Sequence, residues 1–172
     1  MTAKKFFIDK LPVLITDFLI CGLIGWIYET VLTSVVMHTF VDRGVLPIPV
    51  LPIYGLFALV LPLIFKRKTN FLVIGLTGAL GATVFELISA YITESIFGYQ
   101  LWTYEGWKFN FFGGRISLFS SLIFGALCVI HIKAVHPLTE FLQKKNGKVF
   151  AVFSYLVFAG LTAYCIIVLS SV

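Results

Sequence analysis

Charged residues are scarce in this chain. Asp, Glu, Lys and Arg make up 12% of its 172 residues while 59% are apolar. The mean hydropathy of +1.01 exceeds what a water-soluble domain can solvate, which places the chain in the membrane-protein class. Cysteine is scarce too. Cys21, Cys128 and Cys165 lie inside apolar runs, are odd in number and lack metal-ligand spacing, so they read as small packing residues and no metal is expected. A Gly-x-x-x-x-Gly-Lys phosphate loop is missing, and nucleotide hydrolysis coupled to this chain has to come from another one. The length excludes a large catalytic domain outside the bilayer. No Ser, His and Asp set or Cys and His set gathers, His38, His131 and His136 being scattered interfacial or loop residues. An enzyme of the nucleophilic type is therefore not favoured, and no cofactor is expected. No internal repeat stands out, so an inverted-repeat transporter within one chain is not supported either.

What the chain does have is apolar runs. Five can be marked, at 13–36, 45–65, 71–97, 116–135 and 149–172, each long enough to cross ~30 Å of hydrocarbon as a helix. The expected fold is an all-α integral membrane bundle of about five transmembrane helices, a single transmembrane domain over 1–172. Pro47, Pro49 and Pro52 break the start of the second run, and such backbone needs shielding from lipid by neighbouring helices. The first run is too long for a signal-peptide core and contains Asp17 and Glu29, so it is a mature helix. Between the third and fourth runs Tyr99, Trp102, Tyr104, Trp107, Phe109, Phe111 and Phe112 crowd a short connection. That density fits a segment at headgroup level.

The net charge of +5 invites a nucleic-acid reading only until the charges are located. Lys4, Lys5 and Lys10, then Lys66, Arg67 and Lys68, then Lys133, Lys144, Lys145 and Lys148 fall on alternate connections, against Arg43, Lys108 and Arg115 on the others. Basic residues collect on the cytoplasmic side. The pattern predicts a multi-pass plasma-membrane protein with its N-terminus inside and its C-terminus outside, in contact with lipid and not with nucleic acid.

Ionisable groups inside a membrane are costly and need a partner or a wet cavity. Glu29 lies about two thirds of the way out along the first helix, with Gly25 and Gly22 one and two turns below it on the same face. Glu86 and Glu94 are a little over two turns apart on nearly one face of the third, above a strip of Gly75, Gly78 and Ala82. Tyr54, Asp42, Arg43 and Arg115 are expected at the same outer depth, where Glu29, Asp42, Glu86, Glu94 and Glu105 exceed Arg43, Lys108 and Arg115 by two negative charges. A proton, a cation or a cationic ligand would complete such a cluster. A zwitterionic headgroup held through Arg43 and Arg115 would suit it equally. The plainer alternatives are a Glu86–Arg115 pair that fixes helix register, an ordinary aromatic belt, and solvated carboxylates at Glu94 and Glu105.

Gly25-Trp26-Ile27-Tyr28-Glu29, Asp42-Arg43-Gly44, Pro52-Ile53-Tyr54-Gly55, Glu86 with Glu94, Trp102 with Tyr104, and Gly114-Arg115-Ile116 occur in an order and spacing that resembles the bacterial type IV ABC-transporter family, the CmpB-like membrane proteins. Asp42 stands where that family carries Asn, and Leu101-Trp102-Thr103-Tyr104 where it carries Trp-Trp-Asp-Tyr. The resemblance spans about Gly22 to Pro137 and implies a permease component of a bacterial plasma membrane. On this footing the expected substrate-binding residues are Glu29, Arg43, Tyr54, Glu86, Glu94, Trp102, Tyr104, Asn110 and Arg115. The expected function is a permease or membrane subunit of a transporter with an outward-facing polar site for a small cationic or zwitterionic solute or a proton. Five helices are few for alternating access, so a homo-oligomer or a separate ATPase or transporter subunit is expected as partner. Two alternatives stay open: an intramembrane enzyme or binding protein for a lipid or lipid-linked envelope substrate, and a non-catalytic accessory subunit of a membrane complex.

Overall fold

The computed structural model describes residue 5 and residues 9–171. Lys4, counted in the basic N-terminal arm, and Val172, the end of the last expected span, lie outside the described residues. The elements run α1 (Leu11–Met37), α2 (Pro52–Ile64), α3 (Phe71–Phe97), β1 (Asn110–Phe111), β2 (Ile116–Ser117), α4 (Leu118–Ile130), a π-helical turn (His131–Val135) and α5 (His136–Ser170). The described residues are all-α apart from the two-residue strands, which pair antiparallel with Asn110 opposite Ser117 and Phe111 opposite Ile116.

Local chemistry sets the helix limits. α1 and α3 are each 27 residues long, ~40 Å at ~1.5 Å per residue, enough to cross the hydrocarbon. α1 has Pro at its start and ends at His38 in the left-handed conformation. The side chain of Asn70 accepts from Leu72 N to start α3, and left-handed Gly98 donates its N–H to Glu94 O to stop it. Ser117 caps α4 by accepting from Ser120 N. Among the described residues three helical stretches are long and apolar enough to cross a membrane: Leu11–Met37, Phe71–Phe97 and the run Leu118–Ser170, with Pro52–Ile64 a shorter apolar helix.

The expected count of five regular helices is therefore modified. The second run is helical only from Pro52; before it, Val50 and Leu51 are buried and Leu51 N donates to Gly22 O at 3.0 Å, so α1 covers the proline-broken backbone. The fourth and fifth runs share one helical stretch instead of being separated by a loop. Pro137 lacks an N–H and its ring crowds the carbonyl four residues back, which accounts for the π turn just before it. Asn146 interrupts α5 with non-helical dihedrals of φ −138° and ψ 49°. The chain reverses there. Thr139 bonds Asp17 and Ser154 bonds Thr16, yet a straight helix would hold positions 139 and 154 ~22 Å apart.

The chain divides into two compact units, residues 1–59 with 134–172, and residues 60–133. In the first, α1 packs with α5, including Phe18 edge-on to Phe158. In the second, α3 packs on α4 through small residues: a Cβ added to Gly125 would sit 2.6 Å from Gly75 O, and one added to Gly78 would sit 2.8 Å from Cys128 Cβ. Thr83 donates to Ser121 Oγ across the same seam at 2.7 Å. Close backbone approach through small residues is how helices associate without a hydrophobic driving force between them.

Candidate functional site

Each unit carries its own polar cluster. In the first unit the Tyr54 hydroxyl donates to Glu29 Oε1 at 2.7 Å. Gly25 makes this possible: a Cβ there would overlap Cγ and Cδ2 of Tyr54, so only glycine lets the ring lie against α1 one turn below the carboxylate. Tyr28 meets the Tyr54 ring edge-on with centroids 6.4 Å apart. Arg43 Nε stands 3.7 Å from Glu29 Oε2. The loop carrying Arg43 is tied to α1 in three places. Val41 N donates to Ser34 Oγ, Arg43 N to Thr30 Oγ1, and Trp26 Nε1 to Asp42 Oδ1 at 2.8 Å. Asp42 Oδ1 also accepts from Gly44 N. Asp42 therefore orients the loop, while the second carboxylate, Glu29, faces tyrosine and arginine.

In the second unit Glu86 is 4% exposed, and its Oε1 accepts from the hydroxyl of buried Tyr104 at 2.8 Å. Tyr104 is fixed from behind: its N–H donates to Gly114 O, and its ring meets Trp107, which in turn lies against Phe119. Two turns further along α3, Glu94 Oε2 accepts from Arg115 Nε at 3.0 Å and Nη2 at 2.5 Å. The guanidinium also covers the Tyr91 ring at 4.8 Å and donates through Nη1 to Phe112 O. Trp102 Nε1 donates to Arg115 O, and Asn110 Nδ2 to Trp107 O. The Glu86–Arg115 pair considered from sequence does not form: Arg115 engages Glu94, and Glu86 engages Tyr104.

The nine sequence-derived residues thus fall into two sets. Glu29, Arg43 and Tyr54 meet in the first unit; Glu86 with Tyr104, and Glu94 with Arg115 and Trp102, meet in the second, where Asn110 closes the turn beneath the hairpin. In both units a carboxylate projecting from a membrane-length helix accepts a hydrogen bond from a tyrosine supplied by a later segment, and an arginine brings positive charge to a carboxylate of that helix. A carboxylate inside a membrane is an acceptor to which a proton, a cation or an ammonium group can bind.

Sequence reasoning missed Asp17. The sequence marks it only as an acidic residue inside the first run, but its side chain is 0% exposed, accepts from Thr139 Oγ1 at 2.6 Å and lies 2.5 Å from His136 Nδ1. Glu140 and Lys10 continue the polar chain to the surface. Twelve residues separate Asp17 from Glu29 on α1, ~18 Å along the helix. The only signal in the sequence was an aspartate inside an apolar run, with no means of finding its partners 119 and 122 residues away. Trp26 entered only as part of a motif, and Thr30 and Ser34, which also hold the Arg43 loop, carry no charge that would single them out.

The model of the family described as "Putative ABC-transporter type IV", the CmpB-like proteins, matches residues 16–169. The chain belongs to this family. The matched stretch contains both clusters and Asp17 with His136, Thr139 and Glu140. Family membership and the three long apolar helical stretches mark a membrane protein of the ABC-transporter type, and they point to association with other transporter components. No curated protein and no solved structure matches the chain.

Proposed function

We propose that the chain is a permease or membrane subunit of a transporter in the bacterial plasma membrane, crossing it five times with the N-terminus in the cytoplasm and the C-terminus outside. The crossings are α1, the segment 45–64, α3, the α4 run to Asn146 and the arm after it. Lys144, Lys145 and Lys148 flank the reversal at Asn146, where the basic-inside pattern wants a cytoplasmic turn. In this reading Glu29, Glu86 and Glu94 receive a proton or the cationic group of a small solute. Arg43 and Arg115 attract an anionic group, and Tyr54, Trp102, Tyr104 and Asn110 orient the ligand or the loops around it. The observation that supports it best is the pair of carboxylates, Glu29 and Glu86, each projecting from a membrane-length helix and each accepting from a tyrosine hydroxyl. Such groups are retained inside a membrane for a reason other than stability.

Affinity purification of the full chain from membranes tests the subunit reading. Copurification of an ATPase subunit with both the wild type and Glu86→Gln, with solute uptake lost only in the variant, supports it. Full uptake by Glu86→Gln contradicts the assignment of the site, and purification without any transporter component contradicts the subunit role. A second reading, action on a lipid or lipid-linked envelope substrate, draws on Arg115 and Glu94 lying beside half-exposed Tyr91 on the outward face of α3; lipid turnover by the purified protein in micelles would favour it.

A further inference from the structure

The connection between α3 and α4 is built inside out for a loop in water. Three of its hydrogen-bonding residues turn inward: Tyr104 is 6% exposed and bonded to Glu86, Trp102 is bonded to Arg115 O, and Arg115 is clamped to Glu94. Its phenylalanines turn outward, with Phe109 66%, Phe111 51% and Phe112 58% exposed. Backbone geometry goes with this display. Phe109 and Phe112 adopt φ of +58° and +55°, a left-handed region that side-chain-bearing residues rarely occupy and that persists only where the surroundings hold it. Here they do: Phe109 O accepts from Leu118 N, and Phe112 O accepts from Arg115 Nη1.

An ordinary interfacial belt presents Trp and Tyr outward, with their polar tips at the headgroups. Tyr99 follows that pattern at 61% exposed, whereas Trp102, Tyr104 and Trp107 are partly or fully buried. Trp102, Tyr104 and Trp107 brace the hairpin from within, and three phenyl rings without a polar tip stand at its surface, beside exposed Tyr99, Glu105 and Lys108. That surface is continuous with the exposed apolar faces on either side, Ile96 and Phe97 at the end of α3 and Leu118 and Phe119 at the start of α4, on helices long and apolar enough to lie in a membrane.

From this geometry we infer that the β1–β2 hairpin is a membrane-inserted wedge: Phe109, Phe111 and Phe112 lie below the headgroups, in the acyl region of the leaflet at that end of α3, and their partner is lipid. The inference stands apart from the transport reading and survives or fails without it. Seating the hairpin in lipid fixes the position of Tyr104 and Arg115, so lipid contact and the Glu86 and Glu94 cluster are mechanically joined through one short segment.

Site-directed spin labelling of the full-length protein in phosphatidylcholine and phosphatidylglycerol vesicles tests the inference. Phe109→Cys and Phe111→Cys carry the label in turn, Lys108→Cys supplies a neighbouring position on the exposed polar side, and the chain with only its native cysteines gives the background. The expected result is a change of sign: collisions with oxygen exceed those with a water-soluble nickel chelate at positions 109 and 111, and the order inverts at 108. Two results overturn the inference. Equal, water-like accessibility at all three positions means an aqueous loop. Exclusion of both collision partners at 109 and 111 means that a second copy or another protein covers the rings.

Discussion

The hydroxyl of Tyr54 reaches Glu29 Oε1 at 2.7 Å because the residue one turn below the carboxylate, Gly25, has no side chain. Three features of the sequence serve one contact. The glycine admits the ring, the break at Pro52 starts a helix that carries Tyr54 back against α1, and the carboxylate lies where the hydroxyl arrives. Removing any one of them separates the other two.

Gly25→Ala places a methyl group inside the Tyr54 ring and forces the helices apart. A loss of ~1–3 kcal/mol is expected for overpacking of this kind, read as a lower melting temperature in detergent. Gly160→Ala is the control. A Cβ at that helical position meets nothing within 4 Å, and its melting temperature should stay level or rise.

Tyr104→Phe keeps the ring against Trp107 and removes the hydroxyl that donates to Glu86. The expected cost is ~1 kcal/mol, the ordinary net worth of one such bond. A thermal melt no different from that of the wild type would show that the hydroxyl is not what holds Glu86.

Arg115→Lys keeps the charge and loses the planar fork that binds Glu94 through two nitrogens, reaches Phe112 O and covers Tyr91. About 1.5–3 kcal/mol of local stability should go with it. Limited proteolysis is the readout: cleavage within 98–117 should accelerate in the variant while the helices remain protected.

Asp17→Ala removes the acceptor shared by Thr139 and His136 in a fully buried position. Breaking a buried polar pair from one side costs ~3–5 kcal/mol, and here it severs α1 from the first arm of α5. Paired cysteines at Thr16 and Ser154, whose hydroxyls lie 2.9 Å apart, should crosslink readily in an otherwise native chain and poorly beside Asp17→Ala.

Composition and local pattern carried much of this fold. The limits of α1 and α3 were legible to within two residues, because an apolar run ending at a polar cluster or a left-handed glycine is a local signal. The proline-broken start of α2 was legible for the same reason. The join of the last two runs was not, since Lys144, Lys145 and Lys148 look like a loop even where the helix continues almost to Asn146. A shared plan also escaped notice. Each 27-residue helix is followed by a loop and a 13-residue apolar helix, but the strips that would align them, Gly22, Gly25 and Glu29 against Gly78, Gly81 and Glu86, differ by one residue of spacing.

The site residues were legible as individuals because a carboxylate in an apolar run is conspicuous. Their partners were not. Depth along a helix suggested Glu86 for Arg115, whereas the turn through Phe112, Gly113 and Gly114, all with positive φ, swings the guanidinium to Glu94. Backbone conformation of that kind is set by packing and leaves no periodic trace.

The central claim is that Glu29 and Glu86 are ligand-handling groups and not struts. It is tested most directly by the intrinsic fluorescence melt of the purified protein against a panel of small cationic and zwitterionic solutes, with Glu29→Gln and Glu86→Gln alongside. These substitutions keep the size of each side chain and an acceptor oxygen for its tyrosine, so both variants should fold. The account predicts that at least one solute class raises the melting temperature of the wild type and that the rise disappears in one or both variants. No shift with any solute, or the same shift in all three proteins, would contradict it.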